Sequence, residues 1–141
     1  MNAATVRFEA PGLRAEIEEG TAFTPRFDRD GLISCIAVDA GDGRVLMLAH
    51  MNAESLARTL ETGEAWYWSR SRSQLWHKGA TSGQIQRVVA MRVDCDQDAL
   101  LLTVAVGGDG GCCHTGRRDC FYRTVSFDPA NARATLRPAT P

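Results

Sequence analysis

Residues 32–50 read LISCIAVDAGDGRVLMLAH, two aliphatic runs separated by the short polar segment 40–43. Asp and Gly tolerate positive φ angles, so Ala-Gly-Asp-Gly is suited to a tight turn between antiparallel strands. We therefore predict a β-hairpin with strands at 32–39 and 44–50.

The chain after this hairpin predicts one principal helix at about 53–62. Asn52 is a suitable N-cap, apolar side chains recur at helical spacing, and Gly63 can end the helix. Short runs rich in β-branched and aromatic residues predict strands at 65–69, 74–77, 85–93, 99–106 and 121–127. The expected fold class is α+β, β-rich, with a mainly antiparallel sheet or roll.

Alternation within two of these strands, which we expect to belong to the core, predicts which apolar side chains share a face. In the first strand these are Val89, Met91 and Val93. In the second they are Leu100, Leu102, Val104 and Val106.

Length and composition indicate a single domain of 141 residues with a net charge of −1. This charge argues against nucleic-acid binding, which needs a basic face. The chain has no apolar run of membrane-spanning length, and its N-terminus lacks the layout of a secretory signal, so we expect a cytoplasmic protein and no membrane partner. We expect irregular extensions at 1–23, with room for a short element around 13–19, and at 129–141, on either side of one domain at 24–128.

Two clusters of metal-binding side chains follow one another, Asp94-Cys95-Asp96-Gln97-Asp98 and the segment from Cys113 to Cys120. In a reducing compartment, five cysteines are expected to be free thiols or metal ligands rather than disulfides. A catalytic zinc has three protein ligands and one open position, and Cys95, Cys113 and Cys120 supply that number. Cys112 and His114 stay open as alternative ligands. Cys35 lies in an apolar strand and is most simply a core thiol.

The aspartates of the first cluster predict an oxygen-rich site. If the segment is extended, Asp94, Asp96 and Asp98 converge on one side and suit Mg²⁺. A solvated acidic turn around a core cysteine is the alternative.

The stretch 65–93 contains no acidic residue but carries Lys78, the only lysine, and four arginines. Guanidinium groups, hydroxyls and a permissive backbone favour an anion site for phosphate, with a charged solvated loop as the alternative. An aromatic side chain here can stack on a ligand ring. The candidate substrate contacts are Ser69, Arg70, Ser71, Arg72, Trp76, Lys78, Thr81, Ser82, Gly83, Arg117 and Arg118.

Three segments, WSRSRSQLWHKGATSG (68–83), DCDQDALLL (94–102) and CHTGRRDCFY (113–122), together resemble the phosphoribosyl-AMP cyclohydrolase family. The resemblance covers about residues 30–125. It implies the third step of histidine biosynthesis, the hydrolytic opening of the purine ring of phosphoribosyl-AMP. An acidic helical stretch does not follow Tyr122, so we expect the cyclohydrolase step alone and not the pyrophosphohydrolase domain sometimes fused to it.

The resemblance also implies metals and a partner. It implies an intertwined homodimer with one zinc per subunit, in which Cys95 of one subunit joins Cys113 and Cys120 of the other. The implied magnesium ligands are Asp94, Asp96 and Asp98. Three positions depart from the family pattern, namely His50 in place of an aromatic residue, Asp119 in place of Ser, and the additional thiol of Cys112.

The expected chemistry is attack of zinc-activated water on C6 of the adenine ring, which alkylation at N1 makes electron-poor. His114 is the first candidate for proton transfer and His77 the second, because both belong to the matched segments and histidine is the residue type suited to proton transfer at neutral pH. Two other classes stay open. One is a non-catalytic zinc-stabilised binding module, and the other is a redox sensor that uses Cys112 and Cys113.

Overall fold

The computed structural model describes residues 8–138, within which the chain forms two helices and eight strands. The elements are α1 (Arg14–Glu19), β1 (Ile33–Asp39), β2 (Val45–Met51), α2 (Ala53–Thr62), β3 (Trp66–Ser69), β4 (Gln74–His77), β5 (Gln86–Val93), β6 (Ala99–Val106), β7 (Arg123–Asp128) and β8 (Arg133–Pro138). No helix among these residues has both the length and the apolar content needed to cross a bilayer.

The predicted hairpin and helix are confirmed. β1 and β2 pair antiparallel from Ile33 opposite Met51 to Val38 opposite Val45. At the start of α2, the Asn52 side chain accepts a hydrogen bond from the Ser55 amide at 2.8 Å. Gly63 ends the helix with a φ of 73°, the left-handed conformation that glycine adopts without a steric penalty.

Six strands form one curled sheet in the order β4-β3-β2-β1-β6-β5. The pairings are antiparallel except β1 with β6, so the sheet is mixed rather than wholly antiparallel. A bridge between Glu64 and Arg87 brings the start of β3 to the start of β5 and draws the sheet into a roll. The predicted α+β, β-rich class is thus confirmed.

The core lies between the inward face of this sheet and α2. Leu100, Leu102 and Val104 are buried as predicted, and Val106 packs partly buried at their end. Leu56 of α2 and Tyr67 of β3 are fully buried as well. This rigid layer carries the loops that hold the candidate ligands.

The face predicted for β5 is wrong. An irregularity in the pairing between Val88 and Ala90 breaks the alternation of side chains and leaves Val89 59% exposed, while Val93, the last residue of the strand, is 40% exposed. Met91 alone of the predicted row packs against the core.

The C-terminal tail was predicted to be irregular, and this is wrong for β8, which pairs with β7 in a separate two-stranded sheet. Within the N-terminal extension, the short element expected around 13–19 is α1. Residues 1–7 and 139–141 lie outside the described residues.

Candidate metal and substrate site

The aspartate cluster lies in a turn between β5 and β6. The extended segment assumed for the magnesium ligands is therefore not formed, and Cys95 in this turn is exposed rather than a core thiol. A carboxylate oxygen of Asp94 accepts hydrogen bonds from the backbone amides of Asp98, at 2.9 Å, and Ala99, at 3.1 Å. Gln97 within the turn has a positive φ of 59°. Oxygens of Asp94, Asp96 and Asp98 all lie within 4.8 Å of one another. The three carboxylates therefore meet because the backbone reverses, and the donor set suits a hard divalent cation.

The close approach of these carboxyl groups shifts the pKa values of two of them. Hydrogen bonding to Asp96, partial burial and the neighbouring Asp94 raise the pKa of Asp98 to about 6. The same bond, with Asp98 as donor, lowers the pKa of Asp96. A cation bound here would take the place of the proton that the carboxylates share.

Gln97 holds this turn against the N-terminal segment, a role that the sequence did not indicate. Its buried side chain accepts a hydrogen bond from the Thr24 amide at 2.8 Å and donates hydrogen bonds to the carbonyl oxygens of Ile17 and Ala22 at 3.0 and 3.3 Å. These partners are more than 70 residues away in the chain, so no local pattern reveals them.

The second cluster is a compact loop that brings the thiols of Cys113 and Cys120 close enough for each to shift the pKa of the other. The Cys113 amide donates to the Arg117 carbonyl at 3.0 Å, and the Thr115 hydroxyl lies 3.0 Å from the Cys113 sulfur. Burial acts to raise the pKa of Cys113, but hydrogen bonds from Thr115 and Cys120 outweigh it and bring that pKa below its usual value. Burial and the adjacent Cys113 raise the pKa of Cys120 to about 11.

The β1–β2 turn anchors this thiol loop. The Cys120 amide donates to the Leu46 carbonyl at 2.8 Å, and Asp119 is ion-paired with Arg44. Arg118, a predicted substrate contact, forms ion pairs with Asp42 at 2.8 Å and Asp39 at 3.4 Å. The negative charge that Asp119 brings to the thiol cluster is therefore balanced within the chain. Arg117, the other candidate of this loop, lies 4.0 Å over the Tyr122 ring.

Cys95 does not join this thiol pair within one chain. It lies in the turn before β6, whereas Cys113 follows the other end of that strand, and eight strand residues span roughly 26 Å. Among the described residues, the aspartates are the one group of three or more ligating side chains that meet. Cys95 is exposed and, with Asp96, borders a surface pocket of about 550 Å³ that Arg14 and Arg26 also line.

Three of the predicted substrate contacts lie together, with two cations beside one aromatic ring. Lys78 and Arg72 both approach the indole of Trp76, at 4.9 and 5.9 Å from its centroid. The Lys78 ammonium also donates to the carbonyl oxygen of Cys112. Trp76 therefore connects the β3–β4 turn with the thiol loop.

The remaining candidates of the basic stretch lie in two turns. In the first, the Ser69 hydroxyl accepts hydrogen bonds from the backbone amide and the Nε of Arg72, both at 3.3 Å. Arg70 and Ser71 in the same turn are exposed. The second turn contains Thr81, Ser82 and Gly83, all exposed, and adjoins the glycine loop that precedes Cys112. A hydrogen bond of 2.5 Å from Gln84 to Asp109 ties these two segments together.

The two candidate histidines differ in their surroundings. His77 stacks on Trp66 at 4.3 Å, with the ring planes 5° apart, and its Nε2 lies 3.2 Å from a Glu64 oxygen. His114 is exposed next to Cys113 and makes no side-chain hydrogen bond to the described residues. This arrangement favours His114 over His77 for moving a proton to or from a ligand.

The additional thiol, Cys112, is 2% exposed, and burial raises its pKa, so its surroundings do not favour a redox sensor. Cys35 is fully buried, as predicted for a core thiol, and burial raises its pKa to about 12.

Comparison with known proteins gives a consistent result. The sequence model of the family described as phosphoribosyl-AMP cyclohydrolase matches residues 47–122. The chain is 60% identical over 129 residues to the phosphoribosyl-AMP cyclohydrolase of Chelativorans sp., which covers 91% of this chain and 93% of that protein. It is 56% identical to the protein of that name from Sinorhizobium fredii, over 94% and 88% of the two chains, and 64% identical to that from Brucella canis, over 89% and 91%.

Proposed function

Because this chain belongs to the phosphoribosyl-AMP cyclohydrolase family, we propose that it hydrolyses phosphoribosyl-AMP in histidine biosynthesis. Water adds to C6 of the N1-alkylated adenine ring and the N1–C6 bond breaks, which yields the formimino aminoimidazole carboxamide ribotide. One observation carries the proposal. The family match spans residues 47–122, a range that contains every predicted metal ligand.

We propose zinc at Cys113 and Cys120, whose adjacent thiols suit a thiophilic cation. When bound, zinc supplies a Lewis acid that makes hydroxide accessible from water at neutral pH. Thr115 supports this assignment, since its hydroxyl is directed at the Cys113 sulfur at 3.0 Å and favours the thiolate.

The third thiolate, Cys95, would come from a second copy of the chain. Cys95 is exposed and separated from the thiol pair by the length of β6, so one subunit alone offers two thiolates and not three. Exposed apolar side chains on β5 and β7 give a second copy a surface to cover, and these are Val89, Val93, Val125 and Phe127. We therefore propose a homodimer with two shared zinc sites.

Inter-subunit complementation tests this sharing directly. Neither Cys95→Ser nor Cys113→Ser homodimers would contain an intact site, whereas a mixed dimer would contain one. Co-expression of the two variants should restore about a quarter of wild-type activity, because half the dimers are mixed and each has one of two sites. If mass spectrometry demonstrates mixed dimers and the co-expressed protein is still inactive, the site is not shared.

We assign Mg²⁺ to the aspartate turn, where three carboxylates lie within 4.8 Å of one another. Mg²⁺ commonly retains waters and bridges to phosphate, so it would bind a phosphoribosyl group of the substrate. Arg72, Trp76 and the hydroxyls of Thr81 and Ser82 are the proposed contacts on the thiol side. The exposed Arg70 is available to a second phosphate.

His114 is the proposed proton carrier. It would take a proton from the attacking water and return one to N1 as the N1–C6 bond breaks. Its exposure beside Cys113 supports this role, whereas His77 is already stacked on Trp66 and hydrogen-bonded to Glu64.

Metal content measured together with turnover tests the whole proposal. The purified protein should contain about one zinc per subunit and should hydrolyse phosphoribosyl-AMP, with more activity when Mg²⁺ is added. Cys120→Ser should lose both zinc and turnover. A zinc-loaded protein that unfolds on chelation but never turns over the substrate would instead be the non-catalytic zinc-stabilised module.

A further inference from the structure

Lys78 is the only lysine of the chain and is buried, with 6% of its surface exposed. A lysine ordinarily keeps its ammonium in water, because burial of a cation without a counter-ion is costly. The ion pairs formed within residues 8–138 do not include Lys78. Another negative or polar group must therefore compensate its charge.

The ammonium is directed at the loop that carries the thiol pair. Nζ donates a hydrogen bond to the carbonyl oxygen of Cys112, which belongs to the same peptide group as the Cys113 amide. The same Nζ atom lies 4.9 Å from the centroid of the Trp76 ring, within the range of a cation–π interaction. An ammonium has three N–H donors, so one backbone carbonyl leaves part of its bonding capacity unused.

Three thiols lie close enough to Lys78 to be affected by its charge. Its positive charge acts on those of Cys112, Cys113 and Cys120. Three thiolates around Zn²⁺ leave a net charge of −1 at the metal, and a fixed cation in a poorly solvated position offsets such a charge effectively.

We propose that Lys78 is a positioning residue of the zinc site, whose ammonium fixes the Cys112–Cys113 peptide group and balances the charge of the thiolate ligands. The inference rests on the proposed function, because it requires zinc at Cys113 and Cys120. It replaces the phosphate contact that the sequence predicted for Lys78, a role that needs an ammonium accessible from solvent.

The test compares Lys78→Met, Lys78→Gln and Lys78→Arg with a matched control, Arg72→Met. Arg72 also lies over the Trp76 ring, but its hydrogen bonds within the described residues go to Ser69 and not to the thiol loop. Zinc affinity of each folded protein is measured by competition with a chromophoric chelator at constant pH. We expect Lys78→Met and Lys78→Gln to bind zinc more weakly by about tenfold or more, as for other groups that support metal ligands. The zinc affinities of Lys78→Arg, which keeps the charge, and of Arg72→Met should stay close to that of the wild type.

Each outcome decides the inference. If Lys78→Met binds zinc as tightly as the wild type, the inference is overturned and the proposed function is unaffected. The same holds if the variant unfolds at a lower temperature but its zinc affinity is unchanged. A wild-type protein that binds no zinc overturns both. Should Lys78→Met fail to fold, equal zinc affinities of Lys78→Gln and Lys78→Arg would overturn the inference, since these two differ in charge but both retain a donor.

Discussion

The Nε atom of Arg44 lies 2.9 Å from a carboxylate oxygen of Asp119 and joins the β1–β2 turn to the loop that carries Cys113 and Cys120. The Asp119 side chain is nearly buried and also accepts the Phe121 amide at 2.8 Å. Removal of its cation would leave a carboxylate with reduced access to water beside the thiol pair.

Arg44→Met should therefore lower the free energy of unfolding by on the order of 1 kcal/mol, a small value because solvent screens the half-exposed guanidinium. Urea unfolding of the metal-free protein measures it. The double variant Arg44→Met/Asp119→Ser should recover much of the loss, since it removes both charges. Simple additivity of the two single changes would show that the pair is not coupled.

Gly79→Ala should destabilise the protein more than Gly83→Ala. Both glycines have positive φ angles, 87° and 81°, so both substitutions incur the strain of a left-handed alanine, about 1–2 kcal/mol. At Gly79, however, the new Cβ would also lie 2.2 Å from backbone atoms of Gln84 and Ile85, whereas at Gly83 it meets open space. Thermal unfolding of the two variants separates the backbone strain from the steric contact. Equal midpoint temperatures for Gly79→Ala and Gly83→Ala would refute the steric contribution.

Binding of Mg²⁺ should weaken as the pH falls through about 6, because Asp98 has a pKa of about 6 and must lose its proton to act as a ligand. Calorimetric titration between pH 5 and pH 8 measures the affinity and the protons released. Asp98→Asn should bind more weakly and lose most of this dependence on pH. An unchanged pH profile in that variant would assign the proton to another group.

Without a cation, the same group makes stability depend on pH with a defined sign. The pKa of Asp98 is raised above its ordinary 3.8, so between pH 4 and pH 6 the folded protein binds more protons here than the unfolded chain. The contribution of Asp98 should therefore favour folding below about pH 4 and decline as the pH rises to about 6. Asp98→Asn serves as the control in urea unfolding at each pH.

Gln97→Ala should release the N-terminal segment from the aspartate turn. The substitution removes the acceptor for the Thr24 amide and the donor to the Ile17 and Ala22 carbonyls, all with limited access to water. We expect faster hydrogen exchange at the Thr24 amide and weaker Mg²⁺ binding, because the turn would lose its fixed shape. Gln84→Ala, which removes a hydrogen bond between exposed side chains, is the matched control and should leave that amide unaffected.

Several elements were predictable because local chemistry determines them. The Asp–Gly turn, the Asn52 cap and Gly63 act within a few residues of one another, and these predictions are confirmed. The strand Arg133–Pro138 was missed because its stability depends on pairing with β7 and not on its own composition. The exposed Val89 was missed because the irregularity in β5 arises from pairing with β6.

The candidate site divides in the same way. The kinds of candidate ligand and their order can be read from the residues alone, and three motifs indicate the family to which the chain belongs. The folded chain shows in addition that the aspartates meet in a turn, that Cys95 is separated from the other two thiols, and that Lys78 is buried against the thiol loop. Residue identity sets what a side chain can bind, whereas contacts between segments far apart in the chain set its direction, burial and neighbours.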